Sequence, residues 1–168
     1  MRIISGKFRG RKLIKFNKEG IKPTTDKMRE SIFNIVISYL KINEKNNNIP
    51  FEKFNVLDIF AGTGALGLES ISRGAENVTF IEKSKDNLRV LYKNIDHLKV
   101  SKKVKIIKRS IRMVKKIDGK FDLIFMDPPY QMDLIIKKTL KKILDFKIIK
   151  KRNINYTRIC KKKKNKYS

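Results

Sequence analysis

The chain has 168 residues, a length that fits one domain with a single hydrophobic core. Its one cysteine, Cys160, excludes an intramolecular disulfide, and no apolar run reaches the roughly 18 residues of a membrane span. The first residues, "MRIISGKFRGRKL", alternate charged and apolar side chains and lack the apolar core of a signal peptide. We therefore expect a cytoplasmic protein.

A formal net charge of +26 favours a polyanionic partner, because phosphates release counterions when a basic surface neutralises them. Lysine outnumbers arginine by 32 to 10, a bias that a nucleotide-biased genome also produces. The total charge therefore leaves two interpretations open, nucleic-acid binding and a merely solvated lysine-rich surface.

Residues 1–16 alternate basic and apolar side chains around Gly6 and Gly10, which predicts a short basic β-hairpin. The concentration of positive charge on so short a segment indicates nucleic-acid binding. The cations that we expect to contact the nucleic acid are Arg2, Lys7, Arg9, Arg11 and Lys12.

A helix is predicted over residues 23–41, where apolar residues recur near every 3.6 positions and Thr25 or Asp26 can cap the first turn. From residue 54 to residue 146, predicted strands alternate with predicted helices. Such alternation predicts one α/β domain with a Rossmann-like parallel sheet and helices on both sides. The last of these helices has an imperfect apolar face formed by Leu134, Ile135, Lys138 and Leu144.

The first predicted strand of the sheet runs into "DIFAGTGALG", where Gly62, Gly64 and Gly67 have the spacing of a nucleotide-binding loop. The second strand ends at Glu82, where a carboxylate can accept hydrogen bonds from both hydroxyls of a ribose. Ligands of such sheets bind outside the carboxyl ends of the strands, so both segments indicate a nucleoside-bearing cofactor. NAD and S-adenosylmethionine both fit, and a structural turn beside an exposed glutamate is the alternative.

The fourth predicted strand ends in "DPPY" at residues 127–130. Pro128 and Pro129 fix the backbone and remove donors, so the preceding carbonyls can face a ligand without competing N–H groups. The Asp127 carboxylate and the Pro128 carbonyl supply the two acceptors that an exocyclic amino group needs. Tyr130 can stack on a flipped base for about 1–3 kcal/mol. This strand end favours S-adenosylmethionine over NAD.

These motifs resemble the bacterial 16S ribosomal RNA guanine-N2 methyltransferase D family, whose members are S-adenosylmethionine-dependent amino methyltransferases. The resemblance combines "DPPY" and "LDIFAGTGALGLE" with "MRIISGKFRGRKL", "PTTDKMRESIFNI" and "SRGA", over about residues 1–146. It implies methylation of a guanine N2 amino group in ribosomal RNA or the small ribosomal subunit, by a protein that we expect to be monomeric. DNA adenine-N6 methyltransferases share DPPY, so that activity stays open, as does an inactive RNA-binding remnant.

By this resemblance Asp127 to Tyr130 hold the target guanine, with Asp127 orienting the amine and stabilising charge instead of abstracting a proton. Arg29 joins the expected RNA-binding residues, and no metal is expected. Ser110 stands where the family usually carries an acidic residue that contacts the adenine amino group. The full expected cofactor set is Asp58, Gly62, Thr63, Gly64, Gly67, Glu82 and Ser110.

The predicted domain ends at residue 146, and residues 147–168 form a basic tail that we expect to be poorly ordered. The apolar strands that complete the family's sheet are not recognisable there, so we expect the fourth strand to lack neighbours on one side. Such a chain would be marginally stable. A natural basic extension and a shifted or truncated reading frame would give the same sequence pattern.

Overall fold

The computed structural model describes residues 1–15, 25–40, 49–128, 133–150 and 156–158. The strands within these ranges are β1 Asn55–Ile59, β2 Asn77–Ile81, β3 Val104–Ile107, β4 Leu123–Met126 and β5 Tyr156–Arg158. The α-helices are α1 Asp26–Tyr39, α2 Ala65–Ser72, α3 Lys85–Leu98 and α4 Asp133–Asp145, with 3-10 helices at Ser101–Lys103 and Ile111–Met113. In these ranges, no helix has the length and apolar character needed to cross a membrane.

The five strands form one parallel sheet in the order β3-β2-β1-β4-β5. β1 is central, and its residue Asp58 lies opposite Phe80 of β2 and Phe125 of β4. From β1, the strands β2 and β3 follow on one side of the sheet, whereas β4 and β5 lie on the other side. This switch in strand order places a ligand crevice outside the carboxyl ends of β1 and β4. The predicted Rossmann-like α/β fold is confirmed.

The sheet is buried on both faces, because alternate residues of β1 point into two different cores. Val56 packs in the core that contains the apolar residues of α1, α2 and α3. Leu57 and Ile59 pack in the other core, with Ile143 of α4 and Ile111 of the second 3-10 helix. Strands covered on both faces have mostly apolar sequences, which explains the uninterrupted apolar run of β4 and the apolar residues of β1 on either side of Asp58.

Helix α1 begins at a predicted cap and packs against the middle of the sheet. The Thr25 hydroxyl accepts a hydrogen bond from the Met28 amide at 3.2 Å. Phe33, on the buried face of the helix, contacts Phe125 of β4 with a ring-centroid distance of 5.4 Å. A second aromatic contact joins Phe33 to Phe51 at 5.7 Å.

Residues 1–15, which we call the N-terminal arm, fold back on themselves as an irregular hairpin that contains no regular strand. Arg2 and Lys12 form a single antiparallel bridge, and the Ile3 amide donates to the Arg11 carbonyl at 2.9 Å. Gly6 has a φ of 82°, and an added Cβ there would lie 1.9 Å from the Ser72 carbonyl oxygen. The predicted bend at this glycine therefore also allows the arm to lie directly against α2.

The apolar face predicted for α4 is wrong. Its buried residues are Ile136, Thr139 and Ile143, whereas Leu134 and Leu144 are more than half exposed. The buried residues follow i, i+3 and i+7 spacing, so they form one continuous stripe of the helix. In a helix with so many lysines, several candidate stripes exist, and only packing on the sheet selects one.

The expectation that β4 lacks neighbours on one side is also wrong. β5 pairs with β4 in parallel, and Ile149 forms a further parallel bridge with Phe121. The Lys150 ammonium donates to the Asp122 carboxylate at 2.7 Å, directly before β4. The chain thus continues along the sheet beyond residue 146, where the predicted domain ended. Residues 151–155 and 159–168 of the predicted basic tail lie outside the described residues, so the expectation of poor order there stays a prediction.

Candidate cofactor and substrate site

The glycine loop, residues 60–67, leads from β1 into α2, and its three glycines have different roles. Gly62 has a φ of 57°, and an added Cβ would meet no atom within 4 Å, so the loop opens to free space here. At Gly64 an added Cβ would lie 2.4 Å from Leu91, and at Gly67 it would lie 2.2 Å from the Phe80 ring. Gly62 therefore leaves room for a ligand. Gly64 and Gly67 allow close packing, and the expected cofactor contacts at both glycines stay predictions.

Phe60, the first residue of the glycine loop, has a left-handed backbone conformation that the sequence analysis did not predict. Its φ of 64° is rare for a bulky side chain and costs on the order of 1–3 kcal/mol. The ring packs beside the core that contains Leu57 and Ile59. This packing holds the chain in the turn that directs Gly62 toward the crevice.

Glu82, directly after β2, connects the second strand end to the glycine loop. Its carboxylate accepts hydrogen bonds from the amides of Gly62 at 2.8 Å, Lys83 at 2.8 Å and Ser84 at 2.7 Å. A carboxylate has about four acceptor positions, so three backbone bonds leave capacity for a ligand hydroxyl. Ribose binding by Glu82 stays a prediction, and the structure adds a second role in fixing the loop.

Asp58 is a buried acid on β1, at the base of the crevice. Its carboxylate accepts a hydrogen bond from the Gly67 amide at 3.0 Å. Burial raises the pKa of Asp58 to about 7; the Gly67 bond opposes this shift, and the charges of Asp127 and Glu82 add to it. The sheet therefore brings three carboxylates to one edge, an arrangement that suits a cationic ligand.

Asp127 and Pro128 follow β4 and lie half-buried at the same edge as the glycine loop. Asp127 is near enough to Asp58 for its charge to affect the pKa of that residue. The role of Asp127 in holding a substrate amine stays a prediction. Pro129 and Tyr130 lie outside the described residues, and their roles stay predictions.

Ser110 lies after β3, at the start of the second 3-10 helix. Its hydroxyl accepts a hydrogen bond from the Arg112 amide at 3.4 Å and so caps that helix. The side chain is half-buried and engaged locally. Its expected contact with the cofactor stays a prediction.

The basic side chains of the N-terminal arm lie on its exposed surface around a buried aromatic ring. The Arg11 guanidinium lies 5.0 Å from the Phe8 ring centroid, and the Lys7 ammonium lies 5.8 Å from it. All five predicted cations, Arg2, Lys7, Arg9, Arg11 and Lys12, are exposed, and so is Lys15. Their exposure is compatible with phosphate contacts, and RNA binding by the arm stays a prediction.

Arg29 does not fit the RNA-binding role expected for it, because its side chain is fully buried. The guanidinium donates to the Asp26 carboxylate at 2.7 Å and to the Arg2 carbonyl, which joins α1 to the arm. Burial lowers the pKa of Arg29, although the charges of Glu69 and Asp26 oppose that shift. Arg29 thus stabilises the junction of the arm with α1 instead of presenting a charge to solvent.

Sequence reasoning missed the residues that attach the arm to the domain. Glu69 of α2 is fully buried, and its carboxylate accepts hydrogen bonds from the amides of Ile4 at 2.8 Å and Ser5 at 3.0 Å. The Arg73 guanidinium donates to the same carboxylate at 2.9 Å. A charged residue inside an otherwise apolar helix, as in "ALGLESIS", was the signal available for Glu69.

Asn94 of α3 attaches the far end of the arm and was also missed. It is fully buried, accepts a hydrogen bond from the Ile14 amide at 2.8 Å and donates to the Ile14 carbonyl at 3.1 Å. The same amide nitrogen donates to the Thr63 carbonyl in the glycine loop at 3.1 Å. Its position between Leu91 and Leu98, on the apolar face of α3, was the sequence signal.

Comparisons with known proteins agree with the fold and the motifs. A family described as conserved hypothetical protein 95 matches residues 1–167. The ribosomal RNA small subunit methyltransferase D of Haemophilus influenzae is 38% identical over 138 residues, which cover 80% of this chain and 66% of that protein. The protein of the same name from Buchnera aphidicola subsp. Acyrthosiphon pisum is 37% identical over 155 residues, covering 92% of this chain and 75% of that protein.

A solved structure of the Escherichia coli candidate methyltransferase yhhF has a TM-score of 0.65 and 32% identity, covering 86% of this chain and 72% of that chain. The chain spans about two thirds of the length of the Haemophilus relative. The family match over nearly all of the sequence, the sheet order and the motifs at the strand ends agree with one another. The chain therefore belongs to the conserved hypothetical protein 95 family and, within it, to the bacterial ribosomal RNA small subunit methyltransferase D family.

Proposed function

We propose that this chain methylates the exocyclic N2 amino group of a guanine in small-subunit ribosomal RNA, with S-adenosylmethionine as the methyl donor. The observation that carries the proposal is the position of Asp127 and Pro128 at the end of β4, beside the glycine loop at the end of β1. Membership of the methyltransferase D family supports ribosomal RNA as the substrate class.

The residues of the crevice fit the proposed donor. The open space at Gly62 admits a ligand against the backbone, and Glu82 keeps acceptor capacity for a ribose hydroxyl. The carboxylates of Asp58, Glu82 and Asp127 favour a ligand with positive charge. When bound, S-adenosylmethionine supplies an electrophilic methyl group on a positively charged sulfur.

Asp127 and Pro128 act on the methyl acceptor. The N2 lone pair of guanine is delocalised into the ring, so the nitrogen becomes a better nucleophile when acceptors hold its two hydrogens and favour a tetrahedral geometry. The Asp127 carboxylate and the Pro128 carbonyl are these acceptors, and their alignment of the amine provides much of the acceleration. As the N2–CH₃ bond forms, the sulfur–CH₃ bond would break with its electron pair remaining on the sulfur of the leaving S-adenosylhomocysteine, and the positively charged N2 would then lose one proton to water.

The arm extends the substrate contacts beyond the reacting base. Its exposed cations neutralise phosphates of the RNA and fix the position of the strand relative to the crevice. We propose further that the enzyme is a monomer and acts in the cytoplasm, where ribosomal RNA is assembled.

The test is incubation of the purified chain with methyl-labelled S-adenosylmethionine and small ribosomal subunits or ribosomal RNA from a strain that lacks the modification, followed by nucleoside analysis. We expect N2-methylguanosine. The Asp127→Asn variant should lower the yield by at least about tenfold, because its uncharged amide keeps only one acceptor oxygen and has no negative charge to stabilise the amine as it becomes positive.

Asp118→Asn is the matched control, since Asp118 is an exposed acid that pairs only with Lys105 and Lys116 among the described residues. It should methylate like the wild type. N6-methyladenine formed in DNA would reassign the chain to the adenine-N6 enzymes. RNA binding without any methyl transfer would support the inactive remnant, and preferential NAD binding would exclude the proposed donor.

A further inference from the structure

Asn94 joins three parts of the molecule that are far apart in sequence. It lies on α3, pairs with both backbone groups of Ile14 in the arm, and donates to the Thr63 carbonyl in the glycine loop. The side chain is fully buried and uses three of the four hydrogen-bonding positions of an amide. A buried amide with this many partners is strongly oriented, because each broken bond leaves an uncompensated polar group.

Thr63 lies at the most deformable part of the cofactor loop. Its neighbours Gly62 and Gly64 both have positive φ values, of 57° and 86°, which glycine adopts as readily as negative ones. A hydrogen bond to the Thr63 carbonyl restricts the peptide unit that joins Thr63 to Gly64. Asn94 therefore orders the segment of the loop that opens to the ligand at Gly62.

Ile14 lies near the end of the described arm, after the five cations predicted to contact RNA. The arm's other attachments lead to Glu69 and Ser72 of α2 and to Asp26 and Arg29 of α1. Among the hydrogen bonds of the described residues, only those of Asn94 reach both the arm and the glycine loop.

We infer that Asn94 is a positioning residue that couples RNA binding by the arm to cofactor binding by the glycine loop. The inference rests on the proposed function for the identity of the two ligands. When RNA holds the arm in place, Ile14 fixes the Asn94 amide, and the amide in turn fixes Thr63. By thermodynamic linkage, a bound cofactor must then strengthen RNA binding by the same factor.

The test measures the affinity for S-adenosylhomocysteine by titration calorimetry, with and without a saturating fragment of small-subunit ribosomal RNA. In the wild type we expect the RNA to tighten binding by about 5-fold or more, within the usual range of coupling between sites. In Asn94→Ala the factor should fall to about one. Equal factors in the wild type and Asn94→Ala, or no coupling in the wild type, would overturn the inference.

Two further variants separate coupling from general loosening. Ile14→Pro removes the amide that donates to the Asn94 side-chain oxygen but keeps the Ile14 carbonyl and the bond of Asn94 to Thr63. It should keep the affinity for S-adenosylhomocysteine alone and reduce the coupling factor. Ser72→Ala removes the hydroxyl that accepts from the Phe8 amide, an attachment that does not reach the loop. It should weaken RNA binding and keep the coupling factor.

Hydrogen exchange of the ligand-free protein gives a readout that does not depend on the proposed function. Asn94→Ala should speed exchange at both Ile14 and Gly64, whose amide bonds the Ala61 carbonyl within the loop. Ser72→Ala should speed exchange at Phe8 without affecting Gly64. Faster exchange at Ile14 alone would refute the connection even if methyl transfer is demonstrated. If the wild type binds neither ligand, the proposed function fails, and the exchange result still decides whether the connection exists.

Discussion

The Glu82 carboxylate accepts a hydrogen bond from the Gly62 amide at 2.8 Å, which ties the end of β2 to the loop that follows β1. Two neighbouring strand ends are thereby held in a fixed relation before any ligand binds. Such preorganisation strengthens ligand binding, because none of the binding free energy is then used to order the loop.

Replacing Glu82 by Gln should weaken cofactor binding by about 10- to 100-fold. The amide cannot accept from all three backbone amides and also from a ribose, and a hydrogen bond to a charged group contributes about 1.5–3 kcal/mol. Calorimetric titration with S-adenosylhomocysteine measures the effect. Glu76→Gln, at an exposed glutamate directly before β2, is the control and should bind like the wild type.

The loop glycines should separate stability from binding. Gly67→Ala should lower the free energy of unfolding by about 1–3 kcal/mol, because its Cβ would overlap the buried Phe80 ring. Gly62→Ala should lower the free energy of unfolding by about 1–2 kcal/mol, because residue 62 has a left-handed backbone conformation. It should also weaken cofactor binding, because the added Cβ would enter the open space of the crevice.

Urea unfolding and cofactor titration, run on both variants, check this pair. If Gly62→Ala bound the cofactor as well as the wild type does, the open space at Gly62 would not be the ligand site. A fully stable Gly67→Ala would contradict the close packing of α2 on β2.

Asp58 should make the protein less stable as the pH rises toward neutrality. The pKa of Asp58 in the folded protein is about 7, above the ordinary 3.8, so protonation of Asp58 favours the folded state. This contribution to the free energy of unfolding is complete below about pH 4 and is lost as the pH rises through about 7. The effect should be on the order of a few kcal/mol. Asp58→Asn can still accept from the Gly67 amide and should lack this decline.

Urea unfolding of the wild type and Asp58→Asn at several pH values between about 4 and 8 gives the comparison. The difference in unfolding free energy should shift in favour of the variant as the pH rises. A constant difference across this range would mean that Asp58 is ionised throughout, with an ordinary pKa.

Neutralising three arm cations should weaken RNA binding and reduce its salt dependence. Arg9 and Lys12 suit the test, because Arg2 pairs with Asp26 and Arg11 lies over the Phe8 ring; Lys7 is the third, since it lies farther from that ring than Arg11 does. Changing the three to Gln should lower the slope of log affinity against log salt by about 0.7–0.9 for each phosphate that the arm no longer neutralises.

Three exposed lysines outside the arm, Lys99, Lys102 and Lys115, provide a control with the same change in net charge. This control should leave the slope close to that of the wild type. Equal slopes in the two triple variants would assign the arm a purely structural role.

The sequence by itself determined the order along the chain of the first four strands and the helices, and the segments that form the crevice. The apolar runs of β1 and β4, the cap at Thr25 and the glycine spacing from Gly62 to Gly67 are local patterns. These features depend on residues only a few positions apart, so they can be recognised without knowledge of the fold.

Only the tertiary structure decided which partners the buried polar groups have. Asn94 lies 80 residues from Ile14 and 31 from Thr63, and Glu69 lies 65 from Ile4. Arg29 was expected at the RNA surface, but its buried position depends on the arm folding over α1. The reason is physical: a buried polar group must find a partner, but which one it finds is fixed by how distant segments pack, and no local pattern records that distance.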